Sequence, residues 1–234
     1  MGVVRSNEKT LGYKLYDVFL AAFVALLLLT NIIAVKLIAI GPIVLTAAVF
    51  VFPLTYIFGD VLTEVYGYSA SRRIIWLGFG SNVLMSLLFW MAIALPYPEF
   101  WVHQQAFVTI LGSVPRIVVA SLLGYWIGEF LNSYVLARMK EWMVSWDPQH
   151  KHLWMRTVGS TVVGESADSI VFVLVGFFGT MPFPVLLSMV WWQIVVKIGV
   201  EVVFTPITYW IVGHVKRIEG VDVVGANTYN PFVL

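Results

Sequence analysis

Cysteine is missing from the chain altogether, which removes disulfides, thiolate nucleophiles and cysteine-held metals from consideration. Charge is nearly as scarce. Only 12% of the 234 residues are Asp, Glu, Lys or Arg, against about 25% in ordinary soluble domains, and a net charge of +1 says little about partners. The 4 histidines, His103, His150, His152 and His214, fall in predicted loops or helix ends. Neither H-E-x-x-H nor G-x-S-x-G occurs, so catalysis within the membrane is not expected. G-x-x-x-x-G-K-[ST] is absent too, and any ATP-driven step would need another subunit.

What is abundant is apolar sequence. Hydrophobic residues make up 60% of the chain and the mean hydropathy is +0.88. Apolar runs longer than the ~20 residues needed to cross a hydrocarbon core recur along its length, with no hydrophilic block able to fold separately. This predicts an all-α, polytopic membrane protein with one membrane domain. The first run follows Arg5, Lys9 and Lys14 and has no small-residue cleavage site, so it reads as a retained helix.

Turn signals at Gly41-Pro42, Gly67, Pro96-Tyr97-Pro98 and Pro182-Phe183-Pro184 divide the chain into six predicted transmembrane helices near 16–40, 43–67, 74–96, 105–138, 155–180 and 185–213. With six crossings, Arg5, Lys9, Lys14, Arg72, Arg73, Arg138, Lys140, Lys151, Arg156, Lys216 and Arg217 all lie on one side. The excess of Lys and Arg on cytoplasmic loops then puts both termini in the cytoplasm. The expected organisation is a cytoplasmic segment 1–15, a six-helix bundle 16–216 and a loosely ordered cytoplasmic tail 217–234.

Apart from Asp17, Arg138 and Arg156 at the very ends, nine charged residues fall inside these spans: Lys36, Asp60, Glu64, Arg116, Glu129, Glu165, Asp168, Lys197 and Glu201. At about 3 kcal/mol each, facing lipid unpaired would cost roughly 25 kcal/mol, more than a domain's whole stability. They must face inward. On ~1.5 Å of rise per residue, Asp168, Lys197 and Glu201 fall near the bilayer middle. The pairs Asp60/Glu64, Glu165/Asp168 and Lys197/Glu201 each share a helix face. Six acids against three bases leave carboxylates that must be protonated, hydrated or neutralised by a guest. Asn31, Ser81, Asn82, Ser121, Ser160, Thr161, Ser166, Ser169 and Gln193, with Phe52, Tyr56, Tyr125, Trp126, Trp191 and Trp192, are placed on the same faces. Carboxylates that accept paired N–H groups and aromatic walls suit a flat heterocycle such as a purine.

Plainer readings stand beside these. Asp168/Lys197 can be a buried ion pair that fixes helix register. Asp60 and Glu64 can be hydrated or pair with Arg72 and Arg73, Arg116 can donate to backbone carbonyls, and the glycines of the third to fifth predicted helices can serve close packing.

The ordered stretches NIIAVKLIAI, FPLTYIFGDVLTEVYGYSASRRIIWLGF, PRIVVASLLGYWIGEFLNSYVLARMK, GSTVVGESADSIVF and WWQIVVKIGVEVVFTPITY resemble the queuosine precursor transporter family, also called the vitamin uptake transporter family, over roughly residues 15–216. The resemblance implies a six-helix bacterial inner-membrane importer of 7-cyano-7-deazaguanine, 7-aminomethyl-7-deazaguanine or queuine, secondary or facilitative. The open alternatives are a substrate-binding membrane subunit and a carrier of another purine-like vitamin or heterocycle. No cofactor, metal, nucleic-acid partner or evident ATPase subunit is expected, and a homodimer is left open. The family's polar positions map onto Asn31, Asp60, Arg116, Asp168 and Lys197, whereas Glu64, Glu129 and Glu201 fall where members carry other residues. On this reading Asp168 or Glu201 accepts the ring N–H groups, Arg116, Asn31 or Gln193 reads acceptors, and Lys197 holds Asp168 beside Glu165. Asp60 and Glu64 form the inward gate or assist a cationic aminomethyl group.

Overall fold

The computed structural model describes residues 3–4, 13–144, 153–220 and 222–223. Residues 145–152 and, within the predicted tail, 224–234 lie outside this set. Strand β1 (Val3–Val4) precedes helix α1 (Tyr16–Ile33), then β2 (Leu37–Ile40) and β3 (Ile43–Thr46), a 3-10 turn at Ala47–Phe50, and α2 (Phe52–Tyr66). After these come α3 (Tyr68–Ala94), α4 (Gln104–Leu111), α5 (Val114–Val144), α6 (Leu153–Phe177), α7 (Phe183–Glu219) and β4 (Asp222–Val223). Among the described residues, five stretches are long and apolar enough to cross a membrane: Tyr16–Ile33, Ala70–Ala94, Gln104–Gly128, Gly159–Phe177 and Phe183–Glu219. The chain is a helical, polytopic membrane protein.

Two predicted helices are corrected near the start. In place of unbroken helices over 16–40 and 43–67, α1 stops at Ile33 and an antiparallel hairpin pairs Leu37 with Thr46 and Ile40 with Ile43. Gly41, at φ 59°, takes the left-handed conformation of a two-residue hairpin turn. Pro42 after it has no N–H to give a helix, and β-branched Ile38, Ile40, Ile43 and Val44 favour extended backbone. Helix α2 is consequently only 15 residues long, about 22 Å, which is shorter than the ~30 Å hydrocarbon core.

The other boundaries also follow from backbone chemistry. Gly67, at φ 83°, is the one residue between α2 and α3, so α3 begins at Tyr68 rather than 74. The helix predicted over 105–138 breaks at Gly112-Ser113 into α4 and α5, because Pro115 at the second position of α5 cannot donate to the preceding turn. Helix α7, at 37 residues, carries Pro206 inside it and ends at Gly220 in the left-handed conformation. At about 55 Å it outreaches the hydrocarbon core, so its last turns project beyond it.

Two apolar layers close the two ends of the bundle. Tyr16, Ile57, Val61, Leu62, Val65, Tyr66, Ala70, Ile74, Val212 and Val215 pack where α1 begins, α2 ends, α3 begins and α7 ends. Ala34, Ala48, Ile117, Ala120, Phe172, Val173, Phe177, Leu186 and Met189 pack at the opposite end, beneath the hairpin. At the first end Glu219 ties α7 to α1. Its carboxylate accepts the backbone N–H groups of Lys14 (2.9 Å) and Leu15 (2.7 Å) and the Tyr66 hydroxyl (2.8 Å). These amides lead into α1 and have no partner inside the helix, so an acid from another element supplies the cap. Burial opposes the charge on Glu219, but the two amides, the Tyr66 hydroxyl and the Lys14 ammonium together hold its carboxyl below the ordinary range.

Because the folded carboxyl titrates below the unfolded one, the stabilisation is complete above the ordinary carboxylate range and lost as pH falls through the folded value. Glu219→Ala should lower stability in detergent by about 1 kcal/mol at neutral pH, the usual worth of a helix cap. The deficit should vanish in acid, and hydrogen exchange at the start of α1 should speed up.

Candidate functional site

Between the two apolar layers, α6 and α7 bring together the charged residues that lie deepest in the sequence. Glu165 and Asp168 are one turn apart on α6. Leu186, Met189, Gln193 and Lys197 form the buried stripe of α7, so the face that is apolar near the hairpin becomes polar toward the middle. The Lys197 ammonium donates to Asp168 Oδ2 and stands 3.4 Å from Glu165 Oε2. Lys197 is only 6% exposed. An ammonium so deeply buried is tolerated because carboxylates compensate it, and removing them would leave an uncompensated charge.

Helix α5 sets how closely Asp168 approaches. A Cβ on Gly124 would lie 2.7 Å from Asp168 Oδ1 and 3.0 Å from its carbonyl oxygen. One on Gly128 would lie 2.8 Å from the Gly164 carbonyl oxygen and 2.9 Å from Asp168 Cβ. Only glycine fits at either place. The four-residue spacing Gly124-x-x-x-Gly128 is the small-residue pattern of close helix contact in membranes. The sequence reading took these glycines as packing residues, but they also seat the central carboxylate.

Two buried polar atoms nearby have no hydrogen-bond partner among the described residues: Gln193 Oε1 and Ser169 Oγ. Gln193 is 7% exposed and Ser169 0%. Gln193 lies one turn from Lys197 on the same face, and Ser169 follows Asp168 directly. Leaving such a group unsatisfied costs about 1–3 kcal/mol, so both are acceptors poised for a donor.

The remaining expected site residues are distributed elsewhere. Asn31 on α1 is buried and donates to the Asn82 side chain of α3 at 2.8 Å and to the Leu27 carbonyl at 3.2 Å, while Asn82 donates to the Gly78 carbonyl at 2.9 Å. Arg116 donates to the carbonyls of Val175 (2.8 Å) and Phe178 (2.6 Å) and thereby caps the C-terminal end of α6. Glu201 is half-buried one turn beyond Lys197. Asp60 and Glu64 stand on α2 and Glu129 on α5, with side chains outside the described set. Two of the expected aromatic wall residues lie at the surface: Trp126 is 50% exposed and Trp191 63%. Each lies two residues, about 200° around the helix, from Gly124 and Gln193, and so turns away from the charged centre. Among the described residues no group of three His, Cys, Asp or Glu could hold a metal.

A family model described as "Putative vitamin uptake transporter" matches residues 46–211. The chain is 29% identical over 150 residues to the "Probable queuosine precursor transporter" of Bacillus subtilis (strain 168), covering 64% of each chain. It is 26% identical over 133 residues to the "Queuosine precursor transporter" of Escherichia coli (strain K12), covering 57% of this chain and 55% of that one. The chain thus spans less than two thirds of either relative's length. No solved structure matches.

The glycine seat predicts a contrast. Gly128→Ala should destabilise the protein by about 1–3 kcal/mol, as overpacking does. Gly80→Ala on α3, where a new Cβ meets nothing within 4 Å, should be neutral or slightly stabilising. Thermal unfolding of both variants in the same detergent checks this.

Proposed function

The chain belongs to the family described as "Putative vitamin uptake transporter", and from that membership we propose that it imports queuosine precursors, 7-deazaguanine bases, across a bacterial inner membrane. The carrying observation is the Lys197 centre, an ammonium held against Asp168 and Glu165 within a layer bounded at both ends by apolar side chains. Intramembrane ionisable residues are expensive and mark substrate paths. A carboxylate beside buried, unmet acceptors suits the N–H edge of a guanine-type ring, and the relatives named as queuosine precursor transporters support that substrate class.

In this mechanism the planar base enters between the apolar layers and lies against α6 and α7. Asp168 accepts ring N–H groups while Lys197 orients it, and Gln193 reads the edge of the ring one turn away. The two apolar layers act as alternate gates, so the base meets one side of the membrane at a time. The hairpin with the start of α7 bounds one gate, and the ends of α1, α2 and α7 bound the other. Pro206 lies in α7 between the Lys197 centre and the second gate, where its missing N–H weakens the helix and favours bending. The proposed topology has six crossings with both termini cytoplasmic, the second made by the short α2 together with the hairpin before it. Lys14, Arg72, Arg73, Lys216 and Arg217 at the terminal end of the bundle support this orientation. Asn31 and Arg116 act here through the framework, as a tie between α1 and α3 and as the cap of α6. Asp60 and Glu64 remain assigned to the inward path, and Glu201 remains the alternative acceptor of the ring N–H groups.

Asp168→Ala should abolish binding of 7-deazaguanines, with undiminished membrane insertion, in a cell whose other importers have been removed. Retained uptake would take Asp168 out of the site. Transport restored by exchanging the charges, with Asp168→Lys and Lys197→Asp together, would assign the pair to helix register instead.

A further inference from the structure

We propose that the outward face of α7, at the terminal end of the bundle, binds a phospholipid with an anionic headgroup. The site is separate from the charged centre and does not depend on what the chain transports. At about 3.6 residues per turn, Val203, Ile207, Trp210, His214, Arg217 and Ile218 line one side of the helix. All six are exposed, Trp210 at 72%. The opposite side carries the buried Val212 and Val215 and both acids of α7, Glu201 and Glu219. The exposed face therefore runs from aliphatic to aromatic to basic and holds no acid.

Its depth is set by the apolar layer at this end, where Val212 and Val215 pack in one cluster with Tyr16, the first residue of α1. Trp210, His214 and Arg217 thus straddle the level at which α1 enters the membrane, the level of tryptophan belts and lipid headgroups. Helical side chains lean toward the N-terminus, so His214 and Arg217 lean back toward the bilayer. His214 stacks on Trp210, with ring centroids 6.0 Å apart and planes 13° from parallel. Among the described residues no carboxylate pairs with Arg217. A guanidinium and an imidazole N–H on one acid-free face suit a phosphate. The last-turn position also suits the helix dipole, but that effect is indifferent to the lipid and does not account for the stacked imidazole.

Charge and shape choose among occupants. A second copy docked about a two-fold axis would bring this basic face against itself. A soluble anion would use the donors and leave the apolar strip uncovered, whereas a lipid uses both. A Cβ on Gly199 or Gly213, on or beside this face, would meet nothing within 4 Å, so an acyl chain can lie close to the helix.

Because the chain has no cysteine, Val203→Cys places a single fluorescent label at the apolar end of the strip in the purified full chain. Quenching is measured in bilayers of phosphatidylcholine and phosphatidylglycerol, with brominated acyl chains on one lipid or the other. Phosphatidylglycerol should be preferred about fivefold, the worth of one basic residue near an anionic headgroup. Arg217→Gln should bring the ratio close to one and His214→Ala should lower it partway. Arg73→Gln, which removes an exposed cation of α3 at the same end, should leave it unchanged. A ratio near one in the labelled chain overturns the proposal, and so does an equal loss in Arg73→Gln and Arg217→Gln, which would mean diffuse attraction. Relief of quenching by free glycerophosphoglycerol at the concentration of the lipid would show that a soluble anion suffices and also overturns it. Near-complete disulfide dimers of unlabelled Val203→Cys in oxidised membranes would put a second copy on this face instead.

Discussion

A lysine buried in the middle of a helical bundle, with apolar layers on both sides, is the constraint around which the rest is arranged. Lys197 needs carboxylates within reach, and those lie on another helix, so α6 and α7 must be held in one register. That register depends on α5 approaching α6 closely enough that Gly124 and Gly128 touch Asp168. Arg116 then secures the far end of α6 from the same α5. A centre fixed from three directions is preorganised.

The backbone obeys the same scarcity of water. Non-helical backbone at membrane depth is tolerated only when it is covered by protein or lines a cavity. The hairpin of β2 and β3 meets this demand by pairing with itself and resting Leu45 and Thr46, both buried, toward α7. At the other end the exposed amides before α1 are met by Glu219 from α7. These solutions tie elements far apart in sequence, so the ends of the bundle are closed by contacts that an opening motion must break.

Hydropathy, turn residues and the depth of ionisable residues gave the helical membrane class and most helix positions correctly. The convergence of Glu165, Asp168 and Lys197 was legible because pairs spaced by three or four residues share a face and charge in lipid has few places to go. The hairpin was not legible, because Ile38 to Val44 is as apolar as a helix and only Gly41-Pro42 marks the turn. The break at Gly112-Ser113 was hidden in the same way. Arg116 and Asn31 are polar at membrane depth for reasons of capping and helix tying, and composition cannot separate these from ligand contact. Trp191 misled for a rotational reason, since it and Gln193 are neighbours in sequence and nearly opposite around α7.

The chain's lack of cysteine makes the central claim directly measurable. Ser169→Cys and Gln193→Cys, made singly, place one thiol beside the charged centre, and its reaction with a water-soluble thiosulfonate reports access. The account predicts reaction in membranes and slowing of that reaction by a 7-deazaguanine base. Thiols that stay unreactive under every condition, or that react at the same rate with saturating base present, would contradict it.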